Sequence, residues 1–249
     1  MSSTPIRSTA QGGPGIVASG LVMYLDAANK NSYPGSGTTW YDLGISNMSG
    51  ELTNGPTFDT GNAGNIIFDG VDDVILGTDT SGVLNIGAGN TVTLDGWIKS
   101  STFGAQSIFT YGSDLYQKYW SYGFGVYGTS VTPNGLNLTV YNGISGGGNY
   151  NIASALRPKF GVWNNFTAVF GGTTSVYVNG IYARSISSPN NNIVSPVGNY
   201  WTIGGAPYNG FPSYGAFNGN IAAVKVYNRE LSASEVLENY NASKSRFGL

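Results

Sequence analysis

The side chains of this sequence that can do chemistry are carboxylates, amides, hydroxyls and aromatic rings, because the chain has no histidine and no cysteine. That absence removes Ser-His-Asp and Cys-His nucleophiles, thiolate redox chemistry, disulfides and nearly every zinc site. Carboxylates are sparse, with 13 in 249 residues, and only Glu51, Glu230, Glu235 and Glu238 are glutamates. Glycosidic bond cleavage with retention needs two carboxyl groups about 5–5.5 Å apart across the bond. Three of the four glutamates fall in or beside one terminal helical segment, where Glu235 is committed to a cap, so the residues argue against an enzyme. The one acidic cluster is Asp69-Gly-Val-Asp72-Asp73. Hard oxygen donors on a glycine-containing turn suit calcium. The same residues also serve a turn alone, with Asp69 capping it and the others solvated or bonded to backbone amides. The spacing is not that of an EF-hand loop, and both readings stand.

Carbohydrate is held by aromatic platforms flanked by amides and carboxylates, and the chain is rich in all of these. The aromatic residues on glycine- and proline-rich loops are the candidates, since loops carry function. They are Tyr33, Trp40 and Tyr41; Tyr116, Tyr119 and Trp120; and Tyr208, Phe211 and Tyr214. The competing expectation is that they fold back over the domain or pack on neighbouring copies. Trp97 and Trp163 lie within strand patterns and read as core.

The elements that position these residues are strands. Charged residues make up 10% of the chain, against a usual ~25%. In their place stand 38 glycines and 26 asparagines, both poor helix formers. Seventeen tyrosines, 11 phenylalanines and five tryptophans favour pleated surfaces. From Leu21 onward, short apolar runs alternate with turns. Thr91 to Lys99 sets Val92, Leu94 and Ile98 on one face and Thr93, Asp95 and Trp97 on the other, which reads as a half-buried strand. Further strands are expected at 66–68, 74–76, 107–111, 122–127, 136–141, 165–170, 175–178, 181–185, 200–203 and 220–227. Asn-Gly pairs occur at 54, 134, 142, 179, 209 and 218, and Val178-Asn-Gly-Ile181 is the strongest hairpin signal.

One helix is expected. Ser232 and Glu235 form a capping box, and Leu231 with Val236 forms its hydrophobic staple. The fold expected is all-β: a two-sheet antiparallel jelly-roll sandwich over residues 21–242 with one short C-terminal helix. Residues 1–20 read as an N-terminal arm and 243–249 as a C-terminal tail. A net charge of −2 excludes a phosphate-tracking surface, so no nucleic acid is expected. No apolar stretch reaches membrane-span length and no secretory h-region opens the chain, so no membrane partner is expected either.

Nine segments in order resemble the concanavalin A-like lectin/glucanase superfamily, specifically its laminin-G-like domains. They begin with Gly20-Leu-Val-Met-Tyr-Leu-Asp-Ala27, Thr39-Trp-Tyr-Asp-Leu43, Ile67-Phe-Asp-Gly-Val-Asp-Asp73 and Thr91-Val-Thr-Leu-Asp-Gly-Trp97. They continue through Trp163-Asn-Asn-Phe-Thr-Ala168, Val176-Tyr-Val-Asn-Gly180, Ile203-Gly-Gly205, Phe217-Asn-Gly-Asn-Ile-Ala222 and Val226-Tyr-Asn-Arg-Glu-Leu-Ser232. The resemblance implies the concanavalin A-like fold, and with it the calcium and sugar binding of many members. The Glu-x-Asp-x-x-Glu strand motif of the laminarinase-like enzymes is absent. A Tyr33-Pro-Gly-Ser-Gly37 loop and the ending Asn239-Tyr-Asn-Ala-Ser-Lys-Ser-Arg-Phe-Gly-Leu249 resemble domains of tailed-phage structural proteins.

On that basis the expected function is a non-enzymatic virion structural protein, a capsid decoration or tail-fibre component, displaying a lectin-like sandwich. It would be made in the host cytoplasm and lie on the virion exterior. The arm would dock it to other virion proteins such as the major capsid or tail protein, in a homo-oligomer, with host polysaccharide as ligand. The alternative is a free carbohydrate-binding module.

Overall fold

The computed structural model describes residues 15–86, 90–102, 104–113, 121–128, 136–141, 150–152, 158–186, 196–208 and 211–249. Alternating apolar residues build two antiparallel sheets of eight strands each. The first contains β1 (Leu21–Asp26), β4 (Thr57–Asp59), β5 (Asn65–Asp69) and β7 (Val92–Ser100). It is completed by β12 (Asn164–Phe170), β13 (Thr174–Val178), β14 (Ile181–Ile186) and β18 (Asn218–Tyr227). Its order is β14-β13-β12-β7-β18-β5-β4, and β1 also pairs with β18. The second sheet contains β2 (Thr39–Tyr41), β3 (Ser49–Thr53), β6 (Val74–Thr78) and β8 (Gly104–Ser113). With them lie β9 (Tyr122–Gly128), β10 (Leu136–Tyr141), β11 (Tyr150–Ile152) and β15 (Tyr200–Ile203), in the order β11-β10-β9-β8-β15-β6-β3-β2. A separate hairpin pairs β16 (Ala206–Tyr208) with β17 (Phe211–Tyr214).

The two sheets bury one continuous core. Leu94, Ile98, Phe166 and Val224 of the first meet Ile75, Phe109, Phe124 and Trp201 of the second. Glycine makes room for the largest of these. A Cβ on Gly77 would fall inside the Trp201 indole, so this strand position carries no side chain for a packing reason. The hairpin at Asn179-Gly180 forms as its sequence requires, with φ of 51° and 74°.

The outer face of the first sheet is covered, which corrects the half-buried reading of Thr91 to Lys99. Helix α1 (Ala233–Ser243) opens with the expected capping box on Ser232 and Glu235. Arg229 reinforces it through two bonds to the Glu235 carboxylate, at 2.6 and 2.9 Å. Trp97 then stacks with Tyr240 and with Phe247, with ring centroids 5.7 and 4.1 Å away, and its Nε1–H donates to Ser243. Under the same cover Asp95 accepts from Lys225 at 2.6 Å, from Thr167 at 2.8 Å and from Asn165 at 3.0 Å. Both charges of this pair are at most 2% exposed.

Two boundaries differ from the sequence reading. Residues 244–247 form a 3₁₀ turn rather than a tail, with Phe247 buried and Arg246 bonded to Asp26, Asn62 and Gly64. Residues 15–20 belong to the domain as well: Val17 is buried and its N–H donates to Asn239 of α1. The remainder of the expected arm lies outside the described residues. No helix among the described residues is long and apolar enough to cross a membrane.

Candidate functional site

The acidic cluster forms the tight connection from β5 to β6. Gly70 takes φ of +81°, which glycine adopts without steric cost. The Asp69 carboxylate accepts from the Val71 N–H at 2.8 Å, and the Asp73 carboxylate accepts from the Asp69 N–H at 2.9 Å. These are the turn-capping bonds that aspartate makes with its own backbone. Even so, one carboxylate oxygen from each of Asp69, Asp72 and Asp73 lies within 4.8 Å of the other two. Asp69 and Asp72 are exposed while Asp73 is buried. Burial pushes the Asp73 carboxyl above the ordinary range; the Asp69 N–H bond opposes that, and the neighbouring Asp69 and Asp72 charges add to it.

Two amides hold this turn in place. Asn54, in the β3–β4 turn, donates from Nδ2 to the Asp72 carbonyl at 3.0 Å. Asn218, the first residue of β18, donates from Nδ2 to the Asp69 carbonyl at 2.6 Å. A Cβ on Gly70 would stand 2.6 Å from that Nδ2, so glycine is needed twice at this position. Asn218 also ties the turn to the β16–β17 hairpin, which immediately precedes it in the chain. Its N–H donates to Gln106 Oε1 at 2.9 Å. Beside it the Ser107 N–H donates to Gly215 at 2.7 Å, and the Phe217 N–H donates to Gly204 at 2.7 Å. The hairpin packs against β8 and β15. The acidic turn and the root of the hairpin thus occupy one end of the sandwich.

The sequence-selected aromatic residues separate into groups. Tyr33 and Trp40 are core residues, 3% and 0% exposed, and this corrects their reading as sugar platforms. Tyr33 reaches inward to Phe58 and donates its hydroxyl to Gly37, and Trp40 on β2 points into the space between the sheets. Tyr41, the next residue on β2, faces out and is 49% exposed. It pairs with Ser49, at the far end of β3 from Asn54. Tyr116, Tyr119 and Trp120 lie outside the described residues. Tyr208, Phe211 and Tyr214 sit on the hairpin strands, and their backbone positions alone are described. Asn54, Asn218 and Gln106 are site residues that sequence reasoning did not select. The available signal was Asn-Gly at 54 and 218, read only as turn chemistry. Among the glutamates, Glu235 is held by Arg229 and Ser232, which lower its carboxyl to about 2.

The sequence profile of the concanavalin A-like lectin/glucanases superfamily, laminin G type, matches residues 68–237. No curated protein sequence matches the chain. Solved structures superpose well. A mutant Trypanosoma rangeli sialidase displaying trans-sialidase activity gives a TM-score of 0.66 at 16% identity, over 94% of this chain and 35% of that one. Botulinum neurotoxin type C, described as entering cells through two ganglioside molecules, gives 0.62 at 12% identity over 89% and 51%. The heptameric SAP-like pentraxin of Limulus polyphemus gives 0.54 at 18% identity over 70% and 79%. The chain spans about a third of the length of the sialidase chains. At these identities the likeness establishes the fold. It also corrects the virion reading: the similar structures are sialidases, a toxin and a pentraxin, and none of these points to a capsid decoration or a tail fibre. The matched profile spans most of both sheets and the start of the capped helix, and the chain belongs to the concanavalin A-like lectin/glucanases superfamily.

Proposed function

We propose that this chain is a carbohydrate-binding module that takes glycans at the end of the sandwich where the Asp69–Asp73 turn meets the root of the β16–β17 hairpin. The observation carrying this reading is the placement, through Asn218, of three clustered carboxylates beside a hairpin that bears Tyr208, Phe211 and Tyr214. Carboxylate and amide oxygens accept from sugar hydroxyls, and aromatic faces stack on the apolar side of a sugar ring. Superfamily membership and the likeness to a ganglioside-dependent toxin support the same reading.

Asp69, Asp72 and Asp73 would hold a calcium ion. Three carboxylate oxygens that lie within 4.8 Å of one another are spaced on the scale of a calcium coordination shell, whose Ca–O distances are about 2.3–2.6 Å. A bound calcium would coordinate a pair of sugar hydroxyls, while Asn54 and Asn218 keep the turn aligned. The proposed activity is binding without turnover, because Glu235 is occupied by Arg229 and the helix cap.

The test is retention on a panel of immobilised glycans, sialylated and neutral, with calcium or with EDTA, for the wild type and Asp72→Asn. Retention by the wild type in calcium, reduced at least about tenfold by EDTA and by Asp72→Asn, is expected. Retention of no glycan in either condition overturns the binding proposal. Retention untouched by Asp72→Asn overturns the site. Release of reducing ends or sialic acid from a retained glycan overturns binding without turnover.

A further inference from the structure

We propose that Asn54 is a site of spontaneous deamidation, and that its conversion removes the side-chain tie between the β3–β4 turn and the acidic turn. Three Asn-Gly pairs fall within the described residues, and the fold treats them differently. Asn54 and Gly55 are both exposed and both have positive φ, 68° and 119°. Among the described residues, the side-chain tie of Asn54 is the 3.0 Å bond to the Asp72 carbonyl. A Cβ on Gly55 would have a single neighbour within 4 Å, the Asp73 carboxylate at 3.5 Å, so little packs against this glycine.

The other two pairs are fastened. Asn179 accepts from the Asn165 N–H at 2.8 Å, returns its own N–H to the Asn165 carbonyl at 2.9 Å and donates from Nδ2 to Asn164. Gly180 lies against Leu237 and Tyr240 of α1. Asn218 is bonded at its N–H, its Nδ2 and its carbonyl, and Gly219 presses on the Lys99 carbonyl in the β18–β7 ladder.

The reaction needs the Gly N to reach the Asn side-chain carbon. Gly55 N attacks Asn54 Cγ, a C–N bond forms, and the Cγ–Nδ2 bond breaks to release ammonia. Water then opens the five-membered imide at either carbonyl, leaving aspartate or isoaspartate and a gain of about 1 Da. At Asn54 one exposed side-chain hydrogen bond must open. At Asn179 and Asn218 it requires local opening of several bonds at once. Conversion at Asn54 also removes the Nδ2 donor and sets a new negative charge near Asp69, Asp72 and Asp73. The acidic turn then loses one of its two amide ties and keeps the one from Asn218.

Incubating the full chain at 37 °C and mildly alkaline pH, followed by peptide mass mapping, tests this. Asn54 is expected to convert at least about tenfold faster than Asn179 and Asn218, with the difference abolished in denaturing urea. Asn54→Gln should remove the fast phase. Equal rates at the three positions in the folded chain, or slower reaction at Asn54, overturn the site. For the consequence, amide exchange over residues 69–73 is compared between aged and fresh protein. Exchange several-fold faster in the aged form is expected, and unchanged exchange overturns the release.

Discussion

Replacing Lys225 by methionine isolates the energy of the buried pair beneath α1. Methionine keeps most of the side-chain volume and removes the charge. Asp95, 0% exposed, then retains only the neutral donors Thr167 and Asn165. Breaking one partner from a buried pair costs about 3–5 kcal/mol, because the other charge is left uncompensated. With an m-value near 3 kcal/mol/M, the urea midpoint should fall by about 1–1.7 M while m stays constant. Adding Asp95→Asn to that variant removes the stranded charge and keeps an acceptor for Thr167. It should recover at least about 1 kcal/mol. Equilibrium urea unfolding followed by tryptophan fluorescence measures both. A midpoint shift below about 0.3 M for Lys225→Met, or no recovery in the double variant, would refute the picture of a desolvated carboxylate held by a single cation.

Phe247→Ala should cost about 3–5 kcal/mol in the same assay, since the ring fills the space between Trp97 and Trp163; a loss below 1 kcal/mol would make 244–249 the tail its composition suggested. Glu235 has a folded carboxyl near 2 against an ordinary 4.5, so its stabilisation is present above pH 4.5 and is lost as pH falls towards 2. The pair with Arg229 is partly solvated, so Glu235→Gln should remove less than about 1 kcal/mol at pH 7 and flatten the stability profile only in that acid window.

The sandwich was legible in the sequence because its signals are local. Val92, Leu94 and Ile98 alternate by two, Asn179-Gly180 demands a hairpin, and Ser232 with Glu235 demands a helix start. The strands at 39–41, 49–53 and 57–59 were not read. Each is short, and β3 is held by a neighbour distant in sequence, as Gly50 is by Gly77. Trp97 was rightly read as core, but its cover was not. The stacking partner Phe247 sits in a segment whose polar residues carry no period, and burial there is decided by tertiary contact with Trp97 and Trp163. For the site, the Asp69–Asp73 turn announced itself by composition. Its companions Asn54, Gln106 and Asn218 come from three separate elements, and no spacing links them. Tyr33 and Trp40 misled because a glycine-rich loop was equated with exposure, whereas Tyr33 turns inward from the loop and Trp40 lies buried on β2.

The proposed site is tested most directly by amide chemical-shift mapping of the isotope-labelled chain, titrated in calcium with the best-retained glycan of the panel. Saturable shifts concentrated on Asn54, Gly70–Asp73, Gln106 and Gly215–Asn218 are predicted. Shifts concentrated at the other end of the sandwich, around Tyr41 and Ser49, or no shifts at saturating glycan, would contradict it.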